Sequence, residues 1–174
     1  DGGESKLFSV DVTAVFCTVS AKELQCSIVY ILTVVDFTLR ARSKTAETYW
    51  RKQYKKEGAE EIAWDIDSGQ TKSNSLKYVE EEIAAIKNVV GDKVLKVIIE
   101  TCYLTPQEIL IASEIAVKAK ADFVKTSTGF GTGGAKMEDI EQMKKAVNGK
   151  AKIKASGGIK NLDTALSFIE AGVD

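Results

Sequence analysis

Short apolar runs alternate with segments of helical period along most of this chain, and that alternation leaves few folds open. Residues 13–17, 28–35, 61–66, 94–101, 121–127 and 151–156 read as strands. Between them lie helical patterns. Residues 75–90 place Leu76, Val79, Ile83 and Ile86 on one face, at spacings of three and four. Thr105-Pro-Gln-Glu108 is a capping box with proline at the first helical position. Residues 137–147 and 161–171 continue the series, and Gly172 reads as the residue just past a helix end. Repeated strand–helix units predict a parallel sheet, and strands this apolar predict cover on both faces. No Pro- or Ser-rich linker interrupts the chain, so residues 1–174 are expected to form a single domain.

The 174 residues are enough for one real core. With 24 basic and 25 acidic residues the net charge is −1, which argues against nucleic acid as a partner. No apolar run has membrane-spanning length, and the stretch 28–35 is a buried strand at most. The opening residues give no sign of a secretory leader. Cys17, Cys26 and Cys102 have no metal-binding spacing, and an odd count favours a reducing, cytoplasmic setting. Histidine is absent. That removes Ser-His and Cys-His catalysis and every His-ligated metal site, leaving acid–base work to Lys, Asp, Glu, Tyr or water.

Within this framework Lys125 stands out. It sits in Asp122-Phe-Val-Lys-Thr-Ser-Thr-Gly-Phe-Gly-Thr-Gly-Gly-Ala135, where a short apolar strand carries an ammonium into a loop of hydroxyls and glycines. Burying a charge is costly, so such a lysine is either paired with an acid or kept partly neutral. A neutral lysine is a nucleophile toward carbonyl carbon. Lys154, in Lys152-Ile-Lys-Ala-Ser-Gly-Gly-Ile159, occupies the matching place on the next strand. Two neighbouring cations lower each other's pKa. An unperturbed lysine, with a pKa of about 10.4, is neutral roughly once in 2,500 at pH 7. A pKa of about 7–8 raises that fraction by two to three orders of magnitude. On pattern alone, two solvated lysines paired with carboxylates remain an equally plain account.

Gly129-Phe-Gly-Thr-Gly-Gly134 fits the dinucleotide-binding pattern G-x-G-x-x-G, but the context does not. The preceding strand ends in polar residues, and the acid expected about 20 residues on is missing. Glycine-rich turns can still offer backbone N–H groups to a phosphate. Gly157-Gly158, ahead of a helix starting near Asn161, is the stronger of two such places. Tight turns alone are the alternative use of these glycines.

Three stretches together resemble deoxyribose-phosphate aldolase, a class I (Schiff-base) aldolase family on a (β/α)8 TIM barrel. They are Leu95-Lys-Val-Ile-Ile-Glu-Thr101, Phe123-Val-Lys-Thr-Ser-Thr-Gly-Phe-Gly-Thr-Gly-Gly134 and Lys154-Ala-Ser-Gly-Gly-Ile159. The likeness is close from about Val94 onward, moderate over 38–93 and poor before that. The resemblance implies a lyase that cleaves 2-deoxy-D-ribose 5-phosphate to acetaldehyde and D-glyceraldehyde 3-phosphate. Lys125 would be the nucleophile and Lys154 its pKa-tuning neighbour. Lys96, Thr128, Gly129, Gly157 and Gly158 would contact substrate, the last two through its phosphate. Lys96 and Glu100 share a strand face and resemble polar residues of the barrel mouth, with a structural ion pair as the alternative. No metal or organic cofactor is required, since the iminium is the electron sink. A homodimer is left open, and no membrane or nucleic-acid contact is expected.

Two departures accompany the resemblance. Six strands rather than eight are legible, and a full barrel runs to about 200 residues or more. The expectation is therefore a barrel incomplete at one or both ends, with no opening strand recognisable in residues 1–12. The family's essential aspartate also aligns with Ala63 in Glu61-Ile-Ala-Trp-Asp-Ile-Asp67. Asp65 faces the same way but lies about 6–7 Å further along. Loop residues of the family near Asp36-Phe-Thr-Leu-Arg40 are replaced as well. A catalytically weak or inactive barrel that still binds a sugar phosphate is the alternative reading. Cys17, near a strand end, is expected to be a small buried apolar residue.

Overall fold

A computed structural model describes residues 61–66, 69, 71 and 75–174, and residues 9–13 and 30–35 through their backbone. Cys17, Cys26 and the 36–40 loop lie outside the described residues. The strands are β1 (Ser9–Thr13), β2 (Tyr30–Val35), β3 (Glu61–Asp65), β4 (Val94–Ile98), β5 (Phe123–Lys125) and β6 (Lys152–Lys154). They form one sheet in the order β1-β2-β3-β4-β5-β6, and every neighbouring pair is parallel. The described helices are α1 (Leu76–Val90), α2 (Pro106–Lys118), α3 (Met137–Val147) and α4 (Leu162–Glu170), with a 3-10 turn at Thr101–Tyr103.

The first strand is a correction. The apolar run at 13–17 suggested a strand there, and residues 1–12 suggested none. Instead Ser9-Val-Asp-Val-Thr13 pairs with Tyr30–Val34, residue for residue. Its apolar and polar residues alternate, the pattern of a strand whose two sides differ. The longer apolar run distracted from it. Later strands begin close to where they were expected and end two or three residues early. β4 stops at Ile98 because the chain turns at Glu100, which has φ 49.

Each helix is set by local sequence. In α1, Val79, Ile83, Ile86 and Val90 are buried, and Gly91 ends the helix at φ 66. The Thr105 hydroxyl accepts from the Glu108 N–H, while the Glu108 carboxylate accepts from the Thr105 N–H at 2.7 Å, which completes the capping box of α2. α3 buries Ile140, Met143 and Val147. Asn161 caps α4, accepting from the Thr164 N–H at 2.8 Å.

The sheet has two chemically opposite faces. Ile62, Trp64, Val97, Ile99, Val124 and Ile153 join the helices in one apolar core. Burial of such side chains contributes about 1.5–3 kcal/mol each. The residues between them point the other way: Glu61, Ala63, Asp65, Lys96, Ile98, Phe123, Lys125, Lys152 and Lys154. On that second face Ala63 and Ile98 form a small separate apolar contact. A sheet packed only for stability would not crowd charge there, so this face is where function is sought.

Candidate functional site

Register brings the charged face together in rows. Lys125 closes β5, with Cα partners Ile98 on β4 and Lys154 on β6. Ile98 in turn pairs with Asp65, the last residue of β3. Asp65, Ile98, Lys125 and Lys154 thus form one row at the C-terminal ends of the strands. One row deeper lie Ala63, Lys96, Phe123 and Lys152. The two proposed lysines are therefore adjacent in register, as the sequence led one to expect.

Lys125 is only 3% exposed, whereas Lys154 is half-buried. Lys96 is 3% exposed and has an acid beside it: its Nζ lies 2.8 Å from Glu61 Oε2. That contact is an ion pair by distance, although Glu61 Oε2 accepts no well-directed hydrogen bond. Lys96 Nζ also stands 4.7 Å from the centre of the Phe123 ring, a cation–π contact. Lys96 thus has the geometry of a structural ion pair beneath the row that holds Lys125. Ala63 is fully buried beside it. Asp65 is half-buried one row above and reaches a small cavity.

Past the lysines, the loops are cross-tied. The Lys154 carbonyl accepts from the Thr126 N–H at 3.0 Å. The Thr126 hydroxyl accepts from the Ser156 N–H at 3.0 Å and donates to the Ser156 carbonyl at 3.1 Å. The Ser156 hydroxyl donates to the Ser127 carbonyl at 2.5 Å. Further on, the Ala135 N–H reaches the carbonyls of both Ser156 and Gly157, each at 3.1 Å. Gly134 lies against Gly157 so closely that a Cβ at Gly134 would stand 2.3 Å from the Gly157 carbonyl carbon. Gly157 and Gly158 have φ 81 and 77, a left-handed pair that only glycine adopts readily. The loop carrying Thr128 and Gly129 is thus locked against the turn carrying Gly157 and Gly158.

At its other end that loop meets Glu100. The Thr128 N–H donates to Glu100 Oε2 at 2.9 Å, and the Thr128 hydroxyl donates to the same oxygen. The Thr128 hydroxyl also accepts from the Phe130 N–H at 3.1 Å. Gly129, at φ 96, permits the bend between them. A cavity of about 210 Å³ opens here, lined by Asp65, Glu100, Tyr103, Thr128 and Phe130 among others. A larger one, about 1240 Å³, opens at the N-terminal ends of the strands near Val94, Asp122 and Lys152. Size favours the second, but chemistry favours the first, because functional groups of parallel barrels gather at strand C-termini. Among the described residues no group of His, Cys, Asp and Glu could hold a metal ion, and no helix is long and apolar enough to cross a membrane.

The sequence grouped Lys125, Lys154, Asp65, Thr128, Gly129, Gly157 and Gly158 as site residues, and all lie at this end of the sheet. Lys96 lies a row below. The Gly134–Gly157 contact and the Thr126–Ser156 tie were not foreseen, and only the Gly-Gly pairs hinted at close backbones.

Comparison with known proteins gives a consistent result. The sequence profile of the DeoC/LacD family aldolases matches residues 8–173. The deoxyribose-phosphate aldolase of Finegoldia magna is 47% identical over 166 residues, covering 95% of this chain and 78% of the relative. That of Streptococcus mutans is 42% identical over 164 residues, covering 94% and 74%. Among solved structures, the aldolase QR15 superposes with a TM-score of 0.88 at 34% identity, over 98% of this chain and 76% of QR15. The deoxyribose phosphate aldolase of Aeropyrum pernix, described as a unique tetramer, gives 0.77 at 24% identity over 94% and 69%, a likeness of fold. The parallel sheet with alternating helices is that of an α/β barrel.

Proposed function

The chain belongs to the DeoC/LacD family of aldolases, and on that footing we propose that it cleaves 2-deoxy-D-ribose 5-phosphate through a Schiff base on Lys125. The observation that carries the proposal is Lys125 itself, buried at a strand C-terminus with Lys154 as its register partner on the next strand. The Lys125 amine adds to the C1 aldehyde of the open-chain sugar, and loss of water gives the iminium. A base removes the proton of the C3 hydroxyl. The C2–C3 bond breaks, its electron pair enters the iminium to give an enamine, and glyceraldehyde 3-phosphate leaves. Protonation at C2 and hydrolysis release acetaldehyde and restore the amine.

Lys154 is assigned the role of disfavouring the charged form of Lys125. Asp65, in the same row, is assigned the proton transfers, through water. Thr128 and Gly129 border the sugar. Gly157 and Gly158, ahead of the α4 N-terminus, receive the phosphate. Lys96, paired with Glu61, is assigned to the floor of the site. Residues 1–174 act as one unit in this reading, in a cytoplasmic setting that the cysteine usage supports, and a homodimer is compatible with it.

Ala63 favours slow turnover within this same reading, since no carboxylate stands at the family's aspartate position. Borohydride added with 2-deoxyribose 5-phosphate, followed by peptide mapping, tests the assignment. The expected mass gain is on the peptide containing Lys125. A label on Lys154 alone, or none at all, would overturn it.

A further inference from the structure

Glu100 is buried, at 5% exposure, and has no part in the chemistry described above. It has φ 49, a left-handed conformation that a non-glycine residue holds only when its surroundings fix it. One of its carboxylate oxygens takes both hydrogens that Thr128 can give, from the N–H at 2.9 Å and from the hydroxyl. The other faces Gly131, where a Cβ would stand 2.9 Å from it. It also lies 3.7 Å from Cys102 Sγ. Since the Thr128 hydroxyl hydrogen is committed to Glu100, that hydroxyl can only accept, and it accepts from the Phe130 N–H.

We infer that Glu100 is a positioning residue, which sets the Thr128–Gly131 loop so that the loop's backbone, rather than the Thr128 hydroxyl hydrogen, faces the phosphorylated end of the substrate. The inference rests on the proposed phosphate site. The loop is pinned twice: to Glu100 at its start, and to the Gly157 turn through Ala135 at its end. Releasing the first pin frees the loop without touching either lysine. The charge itself opposes an anion nearby, so its retention in a buried place points to the hydrogen bonds it accepts.

The test compares Glu100→Gln, Thr128→Val and the double variant, with steady-state kinetics on 2-deoxyribose 5-phosphate and on unphosphorylated 2-deoxyribose. Glu100→Gln should raise the KM for the phosphate ester about tenfold with kcat within about twofold, the scale of one lost charge-assisted hydrogen bond. The loss in kcat/KM should be clearly smaller for 2-deoxyribose. Thr128→Val should show the same split, and the double variant should be little worse than either single one, because both remove one clamp. Thr128→Ser, which keeps the hydroxyl, should restore most of the affinity. Equal losses on both substrates would mean a general structural role and overturn the inference. Additive effects, or a KM that falls when the charge is removed, would do the same. Should Glu100→Gln fail to fold, Thr128→Val against Thr128→Ser decides the matter by the same split. Borohydride trapping of Lys125 with acetaldehyde, run on the parent, separates the two proposals: its failure refutes the Schiff-base reading, whereas the KM split reports on the clamp alone.

Discussion

Replacing Gly134 with alanine should damage activity far more than its single methyl group suggests. The added Cβ would lie 2.3 Å from both the carbonyl carbon and the carbonyl oxygen of Gly157, and 2.8 Å from the Gly158 nitrogen. All three are backbone atoms, so no rotamer change relieves the contact. Comfortable separation begins near about 3.5 Å, and the two backbones must part by about 1 Å. Overpacking of this kind costs about 1–3 kcal/mol, which in a chain of this size lowers Tm by several degrees. The catalytic cost is larger, because a misplacement of about 1 Å can cost about 100-fold in rate. Gly149→Ala is the matched control. Gly149 has φ 72, but a Cβ there would meet nothing within 4 Å, and it sits at the opposite end of the strands. Its alanine variant should lose about 1–2 kcal/mol through backbone strain alone. Thermal melts and kcat/KM measured on both variants give the answer. If both lose similar stability and keep similar kcat/KM, the Gly134–Gly157 approach does not set the site's geometry.

Lys154→Leu should move the pH–rate profile toward alkaline pH, because removing a neighbouring cation favours the charged form of Lys125; an unchanged profile would mean the two amines do not interact. Ala63→Asp should raise kcat by a large part of the roughly 10²–10⁴-fold that a general acid–base group typically contributes, with little change in KM. A parent enzyme already as fast as Ala63→Asp would show that the acid comes from elsewhere. Asp65→Asn should abolish residual turnover while borohydride still traps the imine on Lys125, and full activity in that variant would remove Asp65 from the proton transfers.

What the sequence disclosed depended on how local the signal was. The capping box at Thr105 and the helix over Met137–Val147 follow from residues three or four apart, and both formed as read. Lys125 was legible because an ammonium contradicts an apolar strand, and its row with Lys154 followed from equal offsets on neighbouring strands. Asp65 reached that row for the same reason of parity. β1 was misplaced because its Val10 and Val12 alternate with polar residues, while the run just after it is more apolar. The Glu100 clamp was hidden for a different reason. It depends on a left-handed backbone at a non-glycine residue and on a partner 28 positions away. No periodicity records either. The Gly134–Gly157 approach is likewise a contact across two loops, and glycine there is equally consistent with simple turns.

The opposite chemistry of the sheet's two faces restricts how such a protein can vary in length. In β5, Val124 belongs to the apolar core, while its neighbours Phe123 and Lys125 belong to the charged face. A substitution on either side changes one partner. Deleting a single residue inside the strand instead exchanges the faces: the lysine turns toward the helices, and a valine takes its place in the row. Stability and chemistry then fail together, and no second substitution nearby restores both. Changes of length are confined to the connections, such as the turn at Gly149. Lineages of this fold can therefore lengthen or shorten between strands, but each strand must keep its count.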